Sequence, residues 1–78
     1  MPTVLLIRGY RFFFYVNDHP PPHIHIEREK KTAKFELIPV KLIKSKRFNA
    51  SELKHIRNLV EENSDILIQK WNEYFNHQ

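Results

Sequence analysis

The chain contains no cysteine and only one glycine among its 78 residues. Without cysteine, neither a disulfide framework nor a thiolate metal site is available. A single glycine also leaves no glycine-rich loop that would cradle phosphate groups. Any functional site must therefore be built from other side chains.

Long apolar runs are missing as well. No stretch of the sequence approaches the length needed to span a bilayer, and the N-terminal region lacks the apolar core and cleavage site of a signal peptide. We therefore expect a cytoplasmic location and no membrane contact. The length allows one domain, residues 1–78, whose core is so small that self-association or a protein partner would help to stabilise it.

The charge balance is basic, with a formal net charge of +4 at pH 7 and a sequence pI of about 9.6. Such a balance favours acidic partners, either nucleic acid or an acidic protein. Lysines that solvate the surface and guard sheet edges explain the same charge equally well. The cations fall into two groups, first Arg28, Lys30, Lys31 and Lys34, then Lys41, Lys44, Lys46 and Arg47.

Residues 1–43 show the period-two alternation of β-strands, and residues 48–76 show the helical spacing of apolar residues. This order predicts an α+β domain, with a small antiparallel sheet of about four strands followed by one long or two short C-terminal helices packed on one face. Gly9 is the expected turn residue between the first two strands. The predicted strands are residues 4–8, 10–16, 23–28 and 32–38, and residues 40–43 form a short further strand or a helical turn.

The helical region has a clear start. Asn49 is the expected N-cap, and Glu52 completes a capping box as the third helical residue. Asn63 and Ser64 interrupt the apolar stripe, either by separating two helices or as a polar seam in one. Because the apolar residues keep their helical phase across this point, we favour one long, bent helix.

The most distinctive motif is a run of histidines and prolines at residues 19–26. The prolines lead into a strand in an extended conformation, and residues two apart on a strand share a face. His23 and His25 are therefore expected side by side, and His19 joins them if the loop folds back. The three imidazoles are candidate ligands for a divalent metal, zinc or nickel, with one position left for water. Asp18 or Glu27 would add a ligand or orient the imidazoles.

The same histidines are candidates for general acid–base catalysis on RNA. His23 and His25 would carry the protons, while Arg11, Arg28 and Lys34 on adjoining strands would bind the phosphate and stabilise its charge. The spacing is only partly similar to the histidine run of histidine-triad nucleotide hydrolases, because a glutamate stands where the third histidine would be. The sequence leaves open whether the chain is an enzyme.

A third interpretation is binding without chemistry. Aromatic residues alternate along the second predicted strand, so Phe13 and Tyr15 point away from the residues that face the helix. They offer a surface for stacking on bases or docking a partner, unless a dimer mate or Trp71 covers them. Trp71, Tyr74 and Phe75 continue the helical stripe and are assigned to the core.

Seven segments, in order along nearly the whole chain, carry a family resemblance. They are MPTV at residues 1–4, GYRFFFY at 9–15, PPHIHI at 21–26, AKF at 33–35, EL at 52–53, VEEN at 60–63 and WNEYF at 71–75. In these segments the chain resembles a bacterial family of small proteins with a PPHxH motif, catalogued as domain of unknown function 4160. The basic turn at residues 29–31 departs from that family, whose members often carry glycine or acidic residues there.

The resemblance implies no established activity. It implies the product of a small operon, encoded beside a second short protein, of the kind proposed to form toxin–antitoxin-like modules. We therefore expect a component of such a module that binds a partner protein or a nucleic acid, the protein being an operon neighbour or a second copy of the chain. The alternative is a histidine-dependent metalloprotein or small ribonuclease that uses the face of His23 and His25.

Overall fold

The computed structural model describes residues 3–75, which form a five-stranded antiparallel sheet followed by two helices. The strands lie in the sheet in their chain order, so each one pairs with its sequence neighbours. The elements are β1 (Thr3–Ile7), β2 (Tyr10–Phe13), β3 (His23–Arg28), β4 (Lys31–Leu37), β5 (Val40–Lys46), α1 (Ala50–Glu62) and α2 (Ser64–Phe75). The predicted α+β class is confirmed, and residue 76, the end of the predicted helical region, lies outside the described residues.

The expected count of about four strands is one short, because β5 is a full strand of seven residues. It pairs with β4 from Leu37 opposite Val40 to Thr32 opposite Lys46. The register shifts between Lys34 and Phe35, which is the mark of a β-bulge in this pair. The bulge interrupts the alternation of apolar and polar residues along β5. The sequence pattern therefore predicts this strand only weakly, although the strand pairs with β4 from end to end.

The turn between β1 and β2 confirms the role expected of Gly9. Arg8 and Gly9 have φ angles of 52° and 84°, and two central residues with positive φ are typical of the type I′ hairpin turn. This turn matches the twist of the paired strands, and glycine adopts its second position without the steric penalty of a Cβ. The hairpin fixes Ile7 opposite Tyr10.

Alternation of side chains gives the sheet two unlike faces. Phe12, Ile24 and Phe35 are fully buried on the face that packs against the helices. The opposite face is termed the open face. It carries the alternate residues of β2 to β5, namely Arg11, Phe13, His23, His25, Glu27, Thr32, Lys34, Glu36, Lys41, Lys44 and Lys46, of which His23 is buried at the end of β3.

The helices complete the core from one side. Ile56 and Val60 of α1 are fully buried, as are Leu67 and Trp71 of α2 to within 1% exposure. Burying a large apolar side chain contributes about 1.5–3 kcal/mol, so these few residues supply much of the stability of so small a domain. The assignment of Trp71 to the core is confirmed. No helix within residues 3–75 is long and apolar enough to cross a membrane.

The chain breaks its helix at Asn63, so the expectation of one long, bent helix is wrong. Asn63 has a φ of −110° and caps α1, with its backbone N–H donating to carbonyls of α1. Its side-chain Nδ2 donates to the Leu59 carbonyl at 2.8 Å, and its own carbonyl accepts from the Leu67 N–H at 2.9 Å. An asparagine can satisfy both helix ends in this way, which apolar periodicity does not reveal.

The start of α1 follows the predicted capping box. The Asn49 side chain accepts from the Glu52 backbone N–H at 2.8 Å, and the Glu52 carboxylate accepts from the Asn49 N–H at 2.9 Å. The same carboxylate also accepts from Lys31 Nζ at 2.8 Å, which ties the helix to β4. The capping box therefore supplies acceptors for backbone N–H groups at the start of the helix, and the ion pair with Lys31 fixes the position of the helix against the sheet.

We predict that Asn49→Ala lowers the free energy of unfolding by about 1 kcal/mol, because one orphan amide loses its acceptor. Urea denaturation followed by circular dichroism measures this change. The matched control is Asn58→Ala on the exposed surface of α1, which should leave stability unchanged or slightly higher. Equal losses in the two variants would contradict the capping role.

Candidate metal centre

The histidine pair of β3 lies where the alternation predicts. His23 and His25 are two residues apart on the strand, and their ring centroids are 5.1 Å apart. The His23 ring packs against Trp71 of α2, with ring centroids 5.0 Å apart. The His25 ring stacks on Phe13 of β2 at 5.5 Å, opposite it in the sheet. Both imidazoles are therefore held by ring contacts on either side.

The proline loop brings a carboxylate to these imidazoles. A tight turn forms at residues 15–18, because the Asp18 N–H donates to the Tyr15 carbonyl at 3.1 Å. The Tyr15 N–H in return donates to Asp18 Oδ2 at 2.9 Å. The loop then rejoins the sheet where the Pro22 carbonyl accepts from the Leu37 N–H at 3.0 Å. These bonds hold Asp18 over the start of β3.

Asp18 contacts both histidines at once. Its Oδ1 lies 3.2 Å from His23 Nε2, and its Oδ2 lies 3.2 Å from His25 Nε2. One ligand atom from each of the three residues lies within 4.8 Å of the others. Two imidazole nitrogens and a carboxylate oxygen thus converge on one point.

His23 is the unusual member of this cluster. Its Nδ1 lies 2.9 Å from the Pro21 carbonyl oxygen, and since that oxygen can only accept, Nδ1 must carry a proton. His23 is 5% exposed, and within residues 3–75 its Nε2 is buried without a hydrogen-bond partner of acceptable geometry. The 3.2 Å approach to Asp18 is therefore an electrostatic contact rather than a directed hydrogen bond.

Burial and charge shift the acid–base behaviour of the cluster in the folded chain. Burial lowers the pKa of His25 below its usual value, the hydrogen bond and charge of Asp18 oppose this effect, and the nearby charge of Lys34 lowers the pKa further. Burial alone would raise the pKa of Asp18. The hydrogen bonds from the Tyr15 amide and the His25 imidazole act in the opposite direction, and the pKa of Asp18 is lowered overall. The cluster therefore favours an ionised carboxylate beside a neutral His25 imidazole.

Two surface cavities of about 310 Å³ each flank the cluster. One is lined by the proline loop together with Asp18 and His23, and the other lies along the open face and is lined by His25. Lys34 lines both. A ligand or ion thus has two ways to reach the cluster.

The predicted ligand His19 takes a different place. It is exposed and lines the cavity beside Asp18 and His23. Within residues 3–75 the group of converging ligand atoms consists of Asp18, His23 and His25. The sequence offers Asp18 as a possible ligand, but its position depends on the turn with Tyr15, which the periodicity of the sequence does not predict.

The two arginines named as binding candidates lie apart from each other. Arg11 pairs with Glu27, with 3.0 Å between Nη1 and Oε1, and so has its charge compensated on the open face. Arg28 lies over the ring of Tyr10, 4.9 Å from guanidinium carbon to ring centre, on the helix-covered face. The structure therefore does not bring Arg28 to the histidines.

Lys34 is the binding candidate that lies at the cluster, directly opposite His25 in the sheet. Sequence reasoning did not select its other neighbour, Lys44, which lies opposite Lys34 on β5. The position of Lys44 beside Lys34 can be predicted only when residues 40–46 are assigned to a strand. The alternation of Lys44 and Lys46 would have been the signal.

A model of the family described as domain of unknown function (DUF4160) matches residues 9–72. The chain belongs to this family. The DUF4160 match includes all three residues of the cluster, and its description names no activity. No curated protein and no solved structure matches the chain.

We predict that the stability of the metal-free chain rises from about pH 5 to about pH 7. Because the pKa of His25 is lower in the folded state than its usual value of 6.5, the unfolded chain binds more protons in the range just below 6.5, and the free energy of unfolding increases with pH there. The depressed pKa of Asp18 adds a further loss of stability below about pH 4. Urea denaturation in EDTA at several pH values measures the slope.

The control is a pair of histidine variants. His25→Gln should flatten the slope between pH 5 and 7, whereas His55→Gln, on the exposed surface of α1, should leave it as in the parent chain. A slope that is the same in His25→Gln and the parent would contradict the assignment.

Proposed function

We propose that this chain binds one divalent transition-metal ion through Asp18, His23 and His25. The buried Nε2 of His23 is the observation that supports this most strongly. In a neutral imidazole whose Nδ1 holds the only proton, Nε2 turns a lone pair toward the Asp18 carboxylate 3.2 Å away. A cation between these two atoms converts a repulsive contact into two bonds to the same ion.

The donor set suits zinc. Neutral imidazole nitrogen and carboxylate oxygen are ordinary zinc ligands, and three protein ligands leave one position for water or a substrate. Nickel accepts the same nitrogen and oxygen donors, so it is the second ion to test. Asp18 Oδ1 lies 3.2 Å from His23 Nε2 and 3.3 Å from His25 Nε2, and both distances are close to the spacing of about 3.3 Å between neighbouring ligand atoms of a tetrahedral site with bonds near 2 Å.

The surroundings of the centre also favour a metal. Zinc needs deprotonated ligands, and the cluster favours an ionised Asp18 beside a neutral His25 because of the direction in which both pKa values shift. The ring contacts of His23 with Trp71 and of His25 with Phe13 hold the imidazoles in place before any ion arrives. Less ordering is then required on binding.

We predict that the purified chain binds one Zn²⁺, measured by isothermal titration calorimetry after EDTA treatment. Asp18→Asn, which keeps the side-chain shape, and His25→Gln should each weaken zinc binding by about 100-fold or more, since even residues that only support a metal ligand typically contribute 10–100-fold. Zinc at 100 times its dissociation constant should also stabilise the parent chain by about 2.7 kcal/mol.

His19→Gln is the matched control, because His19 lies one residue from Asp18 and is exposed. It should bind zinc as tightly as the parent. If His19→Gln lowered zinc affinity as much as His25→Gln does, His19 rather than Asp18 would be assigned as the third ligand. Absence of stoichiometric binding of zinc or nickel by the folded parent chain would overturn the proposal.

RNA cleavage by the same imidazoles is a second candidate function. His25 supports it because it is partly exposed, contacts a carboxylate that can orient it, and lies opposite the cation of Lys34. Cleavage of RNA in EDTA that is lost in His25→Gln and kept in His19→Gln would favour this function over metal binding. Cleavage that requires zinc would show that the bound metal takes part in RNA cleavage.

Binding of a protein partner, as expected for a toxin–antitoxin-like module, is supported by the free edge of β1. Within residues 3–75 this strand pairs only with β2 and holds no charged residue, and Leu6 is 72% exposed. An uncharged edge strand is a template for adding another strand. Leu6→Lys should abolish co-purification with an operon-neighbour protein, or self-association seen by gel filtration, and leave zinc binding unchanged.

A further inference from the structure

We propose that the open face binds single-stranded nucleic acid along the cavity lined by Tyr15, His25, Lys34, Lys44 and Lys46. This inference goes beyond metal binding, because it needs no ion and rests on the lysines of β4 and β5 and on Tyr15, although His25 belongs to both sites. The composition alone does not show whether the basic residues bind an acidic partner or only solvate the surface. This inference assigns the lysines of the open face to a class of ligand and places that ligand along the cavity.

The strand register builds the surface as a row. Phe13 of β2, His25 of β3, Lys34 of β4 and Lys44 of β5 are successive cross-strand partners. Neighbouring strands are about 4.8 Å apart, so the row runs across four strands for roughly 14 Å. Lys46 lies two residues beyond Lys44 on the same strand and lines the same cavity. The row therefore begins in aromatic rings and ends in cations.

The lysines that line this cavity lack acidic partners. Lys34 and Lys44 face each other directly in the sheet, and like charges in that position destabilise a strand pair. Within residues 3–75, none of Lys34, Lys44 and Lys46 forms an ion pair. A bound polyanion would relieve the repulsion.

Arg11 and Lys41, the other cations of the open face, each lie opposite an acidic residue, whereas Lys34, Lys44 and Lys46 do not. Arg11 lies opposite Glu27 and pairs with it at 3.0 Å. Glu36 lies opposite Lys41. Surface lysines that serve only for solubility would be expected to alternate with acids in the same manner. The unbalanced charge is instead concentrated beside the cavity.

The aromatic end of the row favours a nucleic acid over an acidic protein. Tyr15 is 45% exposed, and its ring meets that of His25 edge-on at 4.6 Å, so it is held while one side remains free. Phe13 lies beneath, covered by Arg11 at 4.3 Å from its ring centre. An exposed ring next to a line of cations matches the stacking and phosphate contacts of single-strand binders. A duplex keeps its base faces stacked and cannot use the ring.

We predict that the parent chain binds a fluorescently labelled 12-nucleotide oligouridine in EDTA, measured by anisotropy. Three lysine–phosphate contacts give a slope of about −2 for the logarithm of affinity against that of salt, which is roughly a 20-fold loss between 50 and 200 mM salt. The double variant Lys34→Gln with Lys44→Gln should reduce the slope to about −0.7. Tyr15→Leu should weaken binding by roughly 5- to 160-fold with the slope unchanged.

The matched control removes two cations from the helical side. Lys54→Gln with Lys70→Gln, on α1 and α2, changes the net charge by the same amount and should leave the slope near −2. Equal losses in the two double variants would show non-specific attraction and overturn the proposal. So would a 12-base-pair duplex bound as tightly as the single strand, or a polyglutamate peptide that competes as well as the RNA, which would assign the face to an acidic protein.

The experiment separates this inference from metal binding. RNA binding is measured in EDTA and zinc binding is measured without RNA, so either can fail alone. Circular dichroism and thermal unfolding of each variant confirm that it is folded. A folded parent chain that binds neither oligouridine nor the oligothymidine of the same length at 50 mM salt would refute the proposal.

Discussion

The site depends on one carboxylate. Asp18 accepts a hydrogen bond from the backbone of its own loop and contacts both imidazoles of β3. A charged carboxylate with 11% of its side chain exposed would be costly to bury without such partners. Because these partners come from the loop and the strand together, Asp18 fixes the path of the loop and the position of the histidines at the same time.

The placement of the helices determines where chemistry can occur. Since α1 and α2 supply their buried residues to one face of the sheet, the apolar residues of each strand gather there. The alternate residues, which include His25, Lys34 and Lys44, are left on the open face. The positions of His25 and of the lysines in the two proposed sites thus follow from strand period and from one-sided packing, whereas the loop positions Asp18 and Tyr15. A sheet covered on both faces would have no room for either site.

The sequence predicted the parts of this structure that rest on local chemistry. The bounds of β3 follow from the prolines before it and from strict alternation within it, and the start of α1 follows from a capping box that needs only four neighbouring residues. The apolar stripe identified Trp71 as core for the same reason. In each case the residues that decide the structure are close together in the chain.

The parts that were missed depend on specific hydrogen bonds and strand pairing that the periodicity of apolar residues does not record. The strand β5 forms by pairing with β4 through a bulge, which blurs its own alternation. Asn63 ends a helix through bonds to Leu59 and Leu67, although the apolar phase continues past it. The choice of Asp18 over His19 at the cluster depends on a turn closed with Tyr15. Neither composition nor apolar periodicity predicts any of these three features.

Lys34 connects the two proposed sites physically. It lines both cavities, and its charge lowers the pKa of His25, the imidazole that would bind the metal. A free ammonium group there keeps protons off His25, but it also repels a divalent ion. A phosphate held by Lys34 and Lys44 would remove that repulsion and leave the ligands in place. Thermodynamic linkage then requires that metal and nucleic acid each raise the affinity of the chain for the other by the same factor. Because Lys34 lines both cavities, such a coupling would act through its charge and would require no conformational change.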